Sequence, residues 1–163
     1  MIPDRIRWAV DVVDPRADEH LLEIGCGPGV AAALVCERLT TGRLTAVDRS
    51  PVAVERTRRR NAAHLESGRL EVVQSELDKL ATRGADKVFS VNVNVFWTTD
   101  AARELAVLHG ALRPGGRLYV LYGGGPTGED RVTRTIADSL AVHGFVEVER
   151  ISSPHGIGGV ARR

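Results

Sequence analysis

The chain has no long apolar run. No stretch approaches the roughly 20 consecutive apolar residues of a membrane span, and the first residues lack a signal peptide's long apolar core. It also lacks net charge: +1 over 163 residues gives no general pull toward nucleic acid or an anionic membrane. Cysteine is scarce, and Cys26 and Cys36 make no metal-ligand spacing. Lysine occurs only at Lys79 and Lys87 beside 20 arginines, which we read as coding bias from a GC-rich genome and not as chemistry. Repeats, low-complexity tracts and linker-like stretches are missing too. These absences argue against a membrane protein or an exported disulfide scaffold. The expectation is a single domain over residues 1–163, cytoplasmic, with reduced thiols.

What the chain does have is short apolar runs alternating with helix-forming stretches. The pattern predicts a first helix over Asp4–Val13 and strands at Leu21–Gly25, Leu44–Asp48, Leu70–Gln74, Val88–Val93 and Arg117–Tyr122. Helices are expected between them at Gly29–Leu39, from Pro51 to Leu65, briefly at Leu77–Thr82, and at Asp100–Leu112. Ser50-Pro51 is a strong start signal. Serine accepts from free N–H groups, and proline at the first helical position lacks an N–H that would be unpaired there anyway. Arg113-Pro114-Gly115-Gly116 reads as a turn into the fifth strand. A flexible loop follows at Gly123–Pro126, then Thr127 and Asp130 as a capping pair for a helix to His143, stopped by Gly144. Phe145–Ile151 alternates like a half-exposed strand, and Gly156–Ala161 reads as a last short one. Strands with intervening helices imply right-handed crossovers. The fold class is therefore α/β: a Rossmann-like doubly wound, mostly parallel seven-stranded sheet with helices on both faces, a three-layer sandwich.

One turn carries most of the functional signal. Leu21-Leu22-Glu23-Ile24 suits a buried strand and runs into Gly25-Cys26-Gly27-Pro28-Gly29, where every second residue is glycine. Glycines let backbone pass close to a ligand, and the helix that follows begins with unpaired N–H groups. A dinucleotide turn reads G-x-G-x-x-G/A, but here the third glycine comes one residue early, and Val30 holds the dinucleotide position. Glu23 is a poor neighbour for a pyrophosphate and a reasonable one for an ammonium group. Taken alone, the turn also fits other α/β proteins. With its acid-x-G-x-G-x-G pattern, the chain resembles the class I S-adenosylmethionine-dependent methyltransferases, as a small member reduced to the core fold.

The resemblance extends from about residue 20 to the end, and it implies a site. Glu23, Gly25, Cys26, Gly27 and Gly29 would hold the methionyl end of S-adenosylmethionine. Asp48, followed by Arg49, ends the second strand where the family's acid accepts from both ribose hydroxyls. Ser75-Glu76-Leu77 stands where many members have Gly-Asp-Ala, so Glu76 would accept from the adenine amino group and the Leu77 N–H would reach the ring. The Asn92 carbonyl would suit the ammonium group. Asn94, Phe96, Trp97 and Tyr122 would face the acceptor, implying a small, partly apolar molecule. Leu112–Leu118 matches the family's lead into its fifth strand. The implied reaction is methyl transfer by in-line displacement, leaving S-adenosylhomocysteine.

The sequence does not point to a general base. Tyr122 and His155 are the candidates; His20, His64 and His109 read as structural, and His143 ends a helix where a cation is favoured. No clustering of carboxylates and histidines suggests a metal. Asn94-Val95-Phe96-Trp97 is not the Asp/Asn-Pro-Pro-Tyr of many nucleic-acid amino methyltransferases, and no proline-cysteine nucleophile pair is present. The run Arg56, Arg58, Arg59, Arg60 reads as a phosphate or RNA patch, or more simply as the solvated face of a helix. Residues 1–20, with Ile2-Pro3 and Trp8, are the segment that could close over the site as a lid. A bare core also leaves open a homodimer whose partner supplies a wall. Two other functions stay in view: a noncatalytic nucleoside-binding partner subunit, and a methyltransferase for RNA or protein.

Overall fold

Alternation along each strand decides which side chains reach which face of the sheet. In β1 (His20–Ile24), Leu22 and Ile24 enter one apolar cluster while Leu21 enters another, and all three are buried. The computed structural model describes residues 1–124 and 129–163. Six more strands follow: β2 (Arg43–Asp48), β3 (Leu70–Gln74), β4 (Ala85–Val91), β5 (Leu112–Tyr122), β6 (Val146–Ser153) and β7 (Gly156–Arg162). They form one sheet in the order β3-β2-β1-β4-β5-β7-β6. The first five are parallel, and β7 runs antiparallel between β5 and β6. Strand order reverses between β1 and β4, the switch point where open α/β sheets bind ligands.

Helices cover both faces, as a sheet with two apolar faces requires. Helices α1 (Asp4–Val13), α2 (Val30–Arg38) and α3 (Pro51–Arg60) bring Val10, Val35 and Val54 to the cluster around Leu21, Leu44 and Phe89. The other face meets α5 (Val95–Thr98), α6 (Ala102–Ala111) and α7 (Glu129–Val142) through Phe96, Leu108 and Ile136 against Leu22, Val88 and Val120. Each such side chain contributes about 1.5–3 kcal/mol by leaving water. No helix among the described residues is long and apolar enough to cross a membrane. Cys26 and Cys36 are free and buried.

Several boundaries differ from the sequence reading, each for a physical reason. The helix from Pro51 stops at Arg60, and a separate short α4 spans Ala62–Glu66, because buried Asn61 turns its amide onto the Thr57 and Gly29 carbonyls (3.0 and 3.1 Å). Strand β4 starts at Ala85 and ends at Val91, two residues early, because Asn92 takes a left-handed φ of 62°. The expected turn Arg113–Gly116 falls inside β5. Leu112 pairs with Ala85 and Arg117 with Lys87, so the residues between leave the ladder. Helix α1 packs onto the sandwich: its Ala9, Val10 and Val13 are fully buried, and Lys87 Nζ donates to the Asp14 carbonyl at its end (2.7 Å). Gly125, Pro126 and Thr127, read as loop and cap, lie outside the described residues.

Candidate functional site

A cavity of about 500 Å³ opens at the carboxyl ends of the parallel strands. Ile24, Gly25 and Val47 line it from β1 and β2, and Asp48 and Arg49 follow from the β2 exit. Residues 75–78 after β3 form a second side and 91–95 from the end of β4 onward a third, with Glu104 reaching in from α6. Of the sequence-derived site residues, the structure thus brings Gly25, Asp48, Arg49, Ser75, Glu76, Leu77, Asn92 and Asn94 together.

The glycine turn is built to be held and not merely to bend. Gly25, Gly27 and Gly29 all have positive φ (70°, 53° and 77°). Its amides are already engaged: Gly25 and Cys26 donate to the Val47 carbonyl (2.8 and 3.0 Å), Gly27 to Asp48 Oδ2 (3.0 Å), and Gly29 to the Cys26 carbonyl (2.9 Å). From outside, Thr57 Oγ1 donates to the Gly27 carbonyl (2.9 Å), Arg60 Nε to Pro28 (2.8 Å) and Asn61 Nδ2 to Gly29 (3.1 Å). These three residues share one face of α3 and its end through i, i+3, i+4 spacing. The early third glycine now has a reason. A Cβ on Gly29 would sit 2.7 Å from Asn61 Nδ2 and 2.9 Å from Thr57 Cα. Gly29→Ala is expected to lose about 2–4 kcal/mol, combining left-handed strain with overpacking. Urea unfolding reads this directly, and a loss below 1 kcal/mol (~0.7 of a tenfold step) would show that α3 is not clamped there.

Glu23, Cys26, Gly27 and Gly29 do not line the cavity; of the turn, only Gly25 does. Glu23 lies 3% exposed with Oε2 unpartnered, and burial, then the Asp48 charge, pushes its carboxyl up to about 8. Cys26 Sγ lies 3.4 Å from Thr57 Oγ1, and burial pushes its thiol up to about 12, so it is an inert packing residue. Asp48 accepts from Gly27 on Oδ2 and from Ser50 on Oδ1 (2.9 Å), leaving each oxygen further lone-pair capacity on the cavity wall. Ser75 is tied down by its N–H to the Asp48 carbonyl (3.1 Å) and its hydroxyl to the Glu76 carbonyl (2.8 Å), while Glu76 stands exposed.

The expected acceptor pocket needs the larger correction. Phe96 is 2% exposed and belongs to the core, because α5 begins after Asn94 and rotates it inward. Trp97 leans on the same core, its Nε1 donating to Asn94 Oδ1 (3.4 Å). Tyr122 is buried, and its hydroxyl donates to the Val93 carbonyl while burial raises its pKa. It is not poised as a base. His155 is exposed in the turn between β6 and β7, away from the cavity lining. The sequence reading missed Asp78 and Glu104. Glu104 is an acid in the first turn of α6, a signal visible in the chain but ascribable equally to the helix dipole.

The arginine run lies beyond the turn, where Pro28, Arg56, Arg59 and Arg60 line an open depression of about 330 Å³. Arg60 is bonded to Pro28, Arg58 donates to the Val72 carbonyl (3.1 Å), and Arg59 approaches Glu55 (3.5 Å).

A family described as a methyltransferase domain matches residues 21–116. A trans-aconitate 2-methyltransferase from Rhodopseudomonas palustris is 32% identical over 108 residues, covering 66% of this chain and 38% of that protein. A 37.1 kDa protein of transposon Tn4556 from Streptomyces fradiae is 32% identical over 116 residues, 68% of this chain and 32% of its own. The chain thus spans between 32% and 47% of the length of such curated relatives. Among solved structures, a SAM-dependent methyltransferase from Aquifex aeolicus superposes with a TM-score of 0.79 at 16% identity, covering 99% of this chain and 90% of that one. That likeness is one of fold.

Proposed function

The chain belongs to the methyltransferase-domain family, and on that premise we propose that it is an S-adenosylmethionine-dependent methyltransferase with a small-molecule acceptor. The observation that carries this reading is the charge of the cavity. Asp48, Glu76, Asp78 and Glu104 face it against Arg49 among the described lining residues, while the amides of Gly25, Cys26, Gly27 and Gly29 are taken within the protein. A pyrophosphate finds carboxylates there, whereas a cationic ligand without phosphate finds partners.

The residues present fit S-adenosylmethionine. The open lone pairs of Asp48 would accept from the ribose hydroxyls, and Glu76 would accept from the adenine amino group. Val91, Val93 and Val95 supply an apolar wall that limits water near the methionyl part. When bound, the cofactor brings a methyl group already activated on a sulfonium, so the protein's part is to align the partners and exclude water. The acidic lining favours a neutral or cationic acceptor over the carboxylate-rich one in the trans-aconitate enzymes' name.

A second reading, a noncatalytic nucleoside-binding subunit, draws on Tyr122 being engaged by Val93 and on His155 standing apart. Calorimetry with S-adenosylhomocysteine tests both. We expect micromolar binding, with Trp97 fluorescence responding because Trp97 is bonded to cavity residue Asn94. No binding at millimolar ligand would defeat both readings. Binding, together with methyl transfer from S-adenosylmethionine to amines or neutral hydroxyl compounds and not to trans-aconitate, is the enzyme's expected signature. Binding without turnover across such acceptors favours the subunit.

A further inference from the structure

In a regular parallel ladder, the amide beyond the end of β5 would donate to the backbone carbonyl of the residue beyond β4. Here the pairing runs Val91 with Leu121, and the Asn92 N–H donates to the Leu121 carbonyl (2.9 Å), as the ladder requires. The next bond departs from it. Gly123 N–H donates not to the Asn92 carbonyl but to the Asn92 side-chain oxygen, Oδ1, at 2.9 Å. The departure goes with the φ of 62°, which turns the Asn92 peptide out of the extended conformation. The carbonyl it releases has no hydrogen-bond partner among the described residues, and Asn92 lines the cavity.

We infer that Asn92 is a positioning residue: its side chain stands in for its own carbonyl in the ladder and so frees that carbonyl to receive the ammonium group of the cofactor. The inference rests on the cofactor reading above and adds to it the device that shapes this part of the wall. Glycine would adopt the φ readily, but it has no side chain to hold Gly123. Asparagine tolerates the left-handed region and supplies the acceptor. The neighbours fix the arrangement on both sides. The Tyr122 hydroxyl donates to the Val93 carbonyl, and a Cβ on Gly123 would come within 2.2 Å of Arg5 Cβ on α1, so Gly123 has little room to move away from Asn92. Non-glycine residues in sparsely populated backbone regions concentrate where the site requires them.

The test compares Asn92→Asp and Asn92→Ala with the wild type, by calorimetry with S-adenosylhomocysteine and by thermal denaturation. Aspartate keeps an acceptor oxygen and the left-handed tolerance, so its affinity should stay within about threefold of wild type. Alanine removes the substitute acceptor and favours return of the backbone carbonyl to the ladder. It should weaken binding about tenfold while leaving the melting temperature nearly unchanged. A merely structural asparagine would lower both together. Wild-type affinity in Asn92→Ala, parallel losses of stability and affinity, or failure of Asn92→Asp to preserve binding would each overturn the inference and leave the cofactor reading intact. Absence of binding by the wild type itself would overturn that reading and this inference with it.

Discussion

Replacing Asp48 with alanine should weaken S-adenosylhomocysteine binding by about a hundredfold or more, through loss of two hydrogen bonds to a charged acceptor. The same change should lower stability by about 1–3 kcal/mol, because the Gly27 and Ser50 amides lose their acceptor as well. Glu76→Ala removes one exposed partner and should cost about tenfold in affinity with little change in stability. Calorimetry and urea unfolding of the two variants separate the roles. The expected split is that Asp48 acts on both the ligand and the turn, and Glu76 on the ligand alone. Small and equal losses of affinity would mean that the nucleoside lies elsewhere.

Glu23→Gln should raise stability and reverse part of its pH dependence. The folded protein holds this carboxyl near 8, against an ordinary value of 4.5. Between those values the folded chain keeps a proton that the unfolded chain has released, so stability falls as pH rises through the window, by up to about 1.4 kcal/mol per pH unit. Other groups act in the opposite direction. Burial first, then Arg43, lowers the pKa of His20. For Asp86, burial is outweighed by bonds from the His20 amide and Arg113, which lower it. Those two shifts lose stability as pH falls. Glutamine removes the Glu23 contribution, so the variant's advantage should be small near pH 4.5 and grow toward pH 8. Melting curves at several pH values measure it, and an advantage that does not grow with pH would refute the proton assignment.

What could be read in the sequence was local chemistry. The Ser50-Pro51 start holds because serine and proline each solve a problem of the first helical turn; Ser50 Oγ accepts from Ala53 N–H at 3.3 Å. The glycine turn was legible as a strand-to-helix turn because glycine readily takes the positive φ values it needs, 70°, 53° and 77°. Direction was not legible. Phe96 and Trp97 follow the fourth strand closely enough to suggest the pocket. One left-handed residue at Asn92 and one helical turn at Val95–Thr98 decide that Phe96 points into the core. Tyr122 lies at the expected strand end, yet its hydroxyl is bonded to Val93. Glu104 is ten residues beyond Asn94, and only the packing of α6 against the region after β3 brings it to the same cavity. Such facts depend on contacts between elements, which no local pattern encodes.

Three glycines in five residues would ordinarily make a segment with many conformations, and ordering it around a ligand would carry a large entropic penalty. Here the carbonyls of Gly27, Pro28 and Gly29 are each held by a side chain of Thr57, Arg60 or Asn61. The turn therefore loses its freedom when the chain folds and not when the ligand arrives. Glycine at these positions supplies shape without mobility, and Gly25 holds its part of the cavity wall in place beforehand.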